Sequence, residues 1–426
     1  MSHAARVIVL LVVMSWVGDG AAHVHAHPGH HAPAAGAEEG AGTLRDTQAW
    51  LQARLASAPE SPLLLSKLGG VHLAIARRSG MHEDYEDAAD CFERLLAADG
   101  ESVTGRVGRA YARLGLHRFR GALEDARRAA LSEPDDATVL ALLADVHLAL
   151  GHVVEAEVIA RSLLERSITL ESLARVAVIA YERSRYEEAR VLLLDALEAG
   201  RLLEADEAAR AWCLTMLGDV ARESGDLEEA EARYREAMAT SGTAHAAAWS
   251  LGRLLHDRGD LAEAIVVLRE VVGRADRVPY RIALGEALCD AGASGEGSRL
   301  LSEAEAELEH EIDHGEMGHA RALVELWLWR GDHLERAAGL AGRELAAVRG
   351  DHGAYEVAGW AMFRAGHVQE AVPLMRQALR LSPAHPRTLL RAATVLEGAG
   401  LSREAGDLRV RCRDQNSYNA RTQQSP

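Results

Sequence analysis

A chain of 426 residues, 48% of them hydrophobic, is long enough to bury two or three compact cores. Its formal charge of -17 excludes a general phosphate-tracking surface, so no nucleic-acid partner is expected. Lys67 is the sole lysine against 46 arginines, a bias that reflects a GC-rich genome rather than guanidinium chemistry.

The chain opens with Arg6, an apolar run from Val7 to Val17, and then Gly18-Asp19-Gly20-Ala21-Ala22. A basic start, an apolar core too short to span a bilayer and a small-residue cleavage site predict a signal peptide over residues 1–22. Export to the periplasm or beyond is expected from that pattern, with no transmembrane segment in the mature chain. No cysteine lies near the cleavage site, so a lipid anchor is not expected. Residues 23–42 are rich in His, Ala, Gly and Pro and read as a flexible arm. That arm holds His23, His25, His27, His30 and His31. Cleavage after Ala22 leaves His-Val-His at the N-terminus, where the free amine and the third-position imidazole suit square-planar Cu or Ni, with Zn as a further candidate. Thr43 and Asp46 mark a helix start, and residues 43–62 are expected to cap the helical array that begins at residue 63.

Residues 63–414 alternate helix-length segments with turn signals. A first unit runs from Leu65 through Leu68-Gly69 to Ala88 and Phe92, with extra residues around Ser79 to Asp87 that predict a bulging loop. The next holds Tyr111, Gly115, Ala122 and Pro134, with a shorter insertion after Gly115; two cleaner copies come next, through Leu143 and Ala156 and through Val176 and Ala189. The register is sharpest between Ala211 and Val271. There Leu217-Gly218 returns as Leu251-Gly252, Gly225-Asp226-Leu227 as Gly259-Asp260-Leu261, and Glu229-Ala230 as Glu263-Ala264, each 34 residues on. Glycine within a helix costs roughly 0.5–1 kcal/mol. Gly218 and Gly252 therefore predict close approach of a paired helix. Gly225 and Gly259 predict left-handed caps, with Asp226 and Asp260 capping the next helix. Another copy passes through Leu284-Gly285 and Gly292, with Gly297 in place of the usual Ala. A long helix from Leu300 to Trp329 is the least regular part, and the pattern recovers through Gly359, Gly366 and Ala371. Residues 415–426 are polar and expected to be disordered.

This pattern resembles the tetratricopeptide repeat family. The resemblance implies an all-α, right-handed superhelical α-solenoid of antiparallel helix pairs, with about nine or ten units that stack on their neighbours. It further implies a protein or peptide partner held in a concave groove lined by the first helix of each unit. Carried onto this chain, the groove positions are Trp212, Asp219, Arg222 and Glu223, then Trp249, Arg253 and His256, then Glu356, Trp360, Phe363 and Arg364. Trp and Arg dominate binding hot spots, although the tryptophans equally suit packing between units. The ordered Lys, Asn and Arg set by which some family members hold a C-terminal carboxylate is absent.

His310-Glu311-Ile312-Asp313-His314 matches H-E-x-x-H, the spacing with which two imidazoles hold zinc and a glutamate acts as base. His319 or Glu325 would be a third ligand. The acidic surroundings and Asp313 oppose a hydrolase and favour a solvated helix face. Cys91, Cys213, Cys289 and Cys412 fit no close-spaced metal or redox motif, and the first three read as small buried hydrophobes. The leading reading is an exported, non-catalytic scaffold without a cofactor. A metal-handling accessory protein using the His arm is the alternative, and a zinc hydrolase at His310 and His314 the remote one.

Overall fold

A computed structural model describes residues 38–79, 82–203, 205–314 and 317–416. The expected signal peptide, and His23, His25, His27, His30 and His31 of the arm, lie outside the described residues. Among those described there are 21 α-helices and no strand, as the repeat pattern requires. The chain divides into two compact units at the Arg175–Val176 bond, inside one helix.

The N-terminal unit holds α1 (Glu38–Ser57), α2 (Pro62–Ser79), α3 (His82–Ala98), α4 (Val103–Gly115), α5 (Phe119–Ser132), α6 (Ala137–Ala149), α7 (Val153–Arg166) and the start of α8 (Leu170–Glu182). The expected cap is α1, which begins ahead of Thr43. The loop expected over Ser79 to Asp87 shrinks, because α3 begins at His82 and takes up most of the extra residues. Glu83 and Asp84 favour that earlier start, since carboxylates in a first turn complement the positive end of the helix dipole.

The C-terminal unit continues with α9 (Tyr186–Leu202), α10 (Glu207–Ser224), α11 (Leu227–Thr240), α12 (His245–Arg258), α13 (Leu261–Arg274), α14 (Val278–Asp290) and α15 (Ser294–Asp313). A short 3-10 turn, Met317–His319, leads to α16 (Ala320–Arg330), α17 (Leu334–Ala347), α18 (His352–Arg364), α19 (Val368–Leu381), α20 (Pro386–Gly398) and α21 (Ser402–Gln415). Helices therefore pair as α10 with α11, α12 with α13, and so on, each even-numbered helix being the first of its pair. The long helix expected from Leu300 to Trp329 is two helices, because α15 ends on His314 and α16 starts only after the 3-10 turn.

Glycine does what its placement implied. A Cβ on Gly252 would lie 2.6 Å from Leu268 Cγ of the paired helix, and one on Gly218 would enter the Tyr234 ring. Gly297, the departure from the usual Ala, faces Cys289 Sγ at 2.6 Å from where its Cβ would stand. Gly225 and Gly259 both sit at φ +85°, the left-handed cap. Asp226 accepts from Glu229 N at 3.1 Å as expected, whereas Asp260 caps nothing and pairs with Arg258 Nε at 3.2 Å instead. The Tyr234 ring cannot yield easily, because its hydroxyl donates to Asp219 Oδ1 at 2.7 Å. Gly218→Val is therefore expected to cost about 1–3 kcal/mol by overpacking. Thermal unfolding of the variant checks this, and an unchanged midpoint would show that the helix pair is loose here.

The four cysteines are free, and Cys91, Cys213 and Cys412 are buried, while Cys289 is only half-buried.

Candidate functional site: the inner face of the C-terminal unit

Within the C-terminal unit the first helices of successive pairs turn toward one another. His256 Nε2 of α12 meets Asp290 Oδ2 of α14 at 2.8 Å. Arg387 Nη1 of α20 reaches past α18 to Glu325 Oε1 of α16 at 3.0 Å. Glu286 of α14 lies between Arg253 of α12 and Glu325 of α16, and burial pushes its carboxyl up to about 7 against the pull of Arg253.

The curvature is tight enough that one end of the unit touches the other. Glu182 at the end of α8 meets His352 Nδ1 of α18 at 3.2 Å. Ser184 Oγ lies 2.6 Å from Ser382 Oγ, across 198 residues of sequence. Glu223 of α10 faces His385 Nε2 at 3.8 Å, and Asn416 donates to the Arg222 and Glu223 carbonyl oxygens at 3.0 Å each. Both α8 with α18 and α10 with α20 are five pairs apart, so the contacts form one seam of constant offset. Tails are ordinarily loose, and residues 417–426 lie outside the described residues. Asn416, expected to be disordered, is instead buried in this seam.

His385 is built for the neutral state. Its Nδ1 accepts from Thr388 N at 3.3 Å as the N-cap of α20, leaving the ring proton on Nε2, toward Glu223. Burial, opposed by Glu223 and assisted by His352, lowers its pKa to about 4. His352 goes the other way: burial pulls it down, but the hydrogen bond and charge of Glu182 outweigh burial and raise it above its ordinary value.

The groove positions carried over from the resemblance fall into three groups. Asp219, Glu223, Trp249 and Glu356 are covered by the protein itself, at 1%, 2%, 2% and 0% exposure. Asp219 anchors Tyr234. Trp249 packs in a core with Leu268 and Tyr280, which is the packing reading of that tryptophan. Glu356 accepts from Arg391 and Thr388 and ion-pairs with Arg387. Arg222 and His256 are half-buried and engaged, with Glu223 at 2.7 Å and with Asp290 respectively. Trp212, Arg253, Trp360, Phe363 and Arg364 remain partly open. Trp360 stacks on Phe363 at 5.4 Å between the guanidiniums of Arg364 and Arg391, and Arg364 Nη1 also donates to Leu328 O at 3.2 Å. Arg253 lies over Trp249 at 5.0 Å and makes no ion pair or hydrogen bond among the described residues.

Glu286, Arg387, Arg391 and the seam histidines were not picked from sequence. Their signal was charge on the first helix of a pair, which only the folded ring separates from a solvated face. Among the described residues, no third metal-ligating side chain converges on the H-E-x-x-H stretch. His314 ends α15 with Nδ1 2.7 Å from the His310 carbonyl oxygen, and His319 turns to Glu311 Oε2 at 2.9 Å. His310 and His314 are exposed.

Paired helices with glycine at the crossing and a left-handed glycine at the turn are joined by two family matches. Both are described as tetratricopeptide repeat, one over residues 168–241 and the other over 107–169 and 215–279. Residues 107–279 of the chain match the tetratricopeptide repeat family. Such repeats generally serve as protein-binding scaffolds and are typically non-catalytic. No curated protein matches the chain. Similar solved structures include a human IFIT1 dimer with PPP-AAAA, at 17% identity and TM-score 0.47, covering 75% of this chain and 73% of that one. A tetratricopeptide repeat protein from Parabacteroides merdae is 17% identical at TM-score 0.47, covering 59% of this chain and 94% of its own. A repeat protein from Thermus thermophilus is 24% identical at TM-score 0.40, covering 44% and 100%. No helix among the described residues is long and apolar enough to cross a membrane.

Proposed function

We propose that the chain is an exported, non-catalytic scaffold of the cell envelope that holds a protein or peptide segment against the inner face of its C-terminal unit. The observation that carries this reading is Arg253: a half-buried guanidinium on a first helix, braced by Trp249 and without an ion pair among the described residues. Such a group suits an acidic side chain of a guest, which it can hold with two parallel hydrogen bonds. The partly open Trp360 and Phe363 offer an apolar anchor further along the same face. Export rests on the residues 1–22 pattern, and the partner is named by its chemistry alone, an acidic and aromatic-tolerant polypeptide.

Affinity capture by the mature protein from its own envelope fraction identifies the partner. Arg253→Glu is expected to weaken that capture about tenfold or more, since one lost charge-assisted contact costs about 1.5–3 kcal/mol. Helical circular dichroism should stay intact, because Arg253 braces no helix end. Undiminished capture by the folded variant would remove Arg253 from the contact surface.

A further inference from the structure

We propose that His72 of α2, with Asp84 and Asp87 of α3, forms a binding site for a divalent transition cation in the N-terminal unit. One donor atom from each of the three lies within 4.8 Å of the others. Asp84 and Asp87 stand three apart on one helix and so share a face, and the pairing of α2 with α3 brings His72 against it. His72 is 2% exposed, and its Nδ1 is buried without a hydrogen-bond partner; the nearest carboxylate oxygen, Asp87 Oδ2, stands off at 3.5 Å. Buried polar atoms are normally satisfied, so an unsatisfied imidazole nitrogen aimed between two carboxylates points to a missing ligand.

The chemistry fits a borderline cation such as Zn(II) or Co(II). Metal–donor bonds of about 2.0–2.2 Å require the donors to close slightly, and Asp87, with its side chain 61% exposed, is free to do so. An open cleft of about 350 Å³, lined by Gln52, Leu55, His72, Asp87, Asp90 and Cys91, supplies an entry path and room for water ligands. Cys91 lines the cleft but is not among the converging donors, so the donor set is nitrogen and oxygen rather than sulfur. Arg45 of α1, 3.7 Å from Asp84 Oδ1, is the counter-charge that a cation would displace.

The test uses the full chain with His23, His25, His27, His30 and His31 each replaced by alanine, so that arm histidines do not compete. Equilibrium dialysis and visible absorption with Co(II) should show one bound equivalent. Asp87→Asn should weaken it about tenfold or more, His72→Gln should abolish it, and His310→Ala should leave it unchanged. Asp87 is exposed, so Asp87→Asn decides the matter even where His72→Gln disturbs the fold. Absence of a bound equivalent, or one indifferent to Asp87→Asn, overturns the proposal.

Discussion

Glu356→Ala is expected to destabilise the C-terminal unit by about 3–5 kcal/mol, the usual effect of removing one partner from a buried charge network. The carboxylate is fully buried, accepts from Arg391 Nη1 at 2.8 Å and Thr388 Oγ1 at 2.9 Å, and ion-pairs with Arg387 at 2.9 Å. Burial alone would raise its pKa, but Arg387 and Arg391 outweigh that and hold it at about 2. Without it, Arg387 keeps Glu325, while Arg391 loses the carboxylate it donates to and is left stacked on Trp360. Urea denaturation followed by tryptophan fluorescence measures the loss. A cost under about 1 kcal/mol would mean that water reaches these groups in the native state, as it does at exposed ion pairs. Glu356→Gln, which retains an acceptor, should fall between the two.

The His385 part of this unit's stability should be complete above pH 6.5 and lost toward acid, against Glu286, whose raised carboxyl contributes stability that is lost as pH rises from 4.5 to about 7. His385 has a folded pKa of about 4 against an ordinary 6.5, so its contribution is complete above 6.5. As pH falls from 6.5 to 4 the unfolded chain takes up a proton that the folded chain refuses, and on the order of 3 kcal/mol is lost. Below about pH 4.5 the depressed Glu356 adds its own loss, continuing to about 2. His352 acts in the opposite direction. Its raised pKa gives stability that is complete below 6.5 and disappears as pH rises through the folded value. His385→Asn keeps a side-chain acceptor for the cap and removes the titration, so urea midpoints between pH 4 and 6.5 should lose the rise with pH that His385 contributes to the parent profile. An equally steep acid limb would assign the loss to other groups.

What could be read from sequence was whatever depends on neighbours in the chain or on the next repeat. Gly218 and Gly252 announced close helix crossings, and Gly225 and Gly259 announced caps, because backbone geometry admits few other residues there. Insertions were less legible: a few residues after Ser79 can loop out or lengthen a helix, and the first-turn carboxylates of α3 decided for the helix. The groove was legible only in part. Repeat position shows that Asp219 and Glu356 lie on first helices, but not that the curvature would bury them. That depends on the small rotation at each helix pair, summed over five pairs, and no single residue states it. His72, Asp84 and Asp87 were missed because their convergence needs the crossing of α2 with α3 as well as the visible spacing on α3.

The contact between Ser184 and Ser382 also sets an order of events during synthesis. Each helix pair can stack on its predecessor as it leaves the ribosome, since stacking needs only an adjacent unit. The join to α8 and α10 must wait until α18 to α20 have been made, and its last piece, Asn416, arrives only after α21. Maturation thus ends with a late locking step drawing on nearly the whole length of the unit, and a chain cut short before Asn416 would stay unlatched at the Arg222 and Glu223 carbonyls.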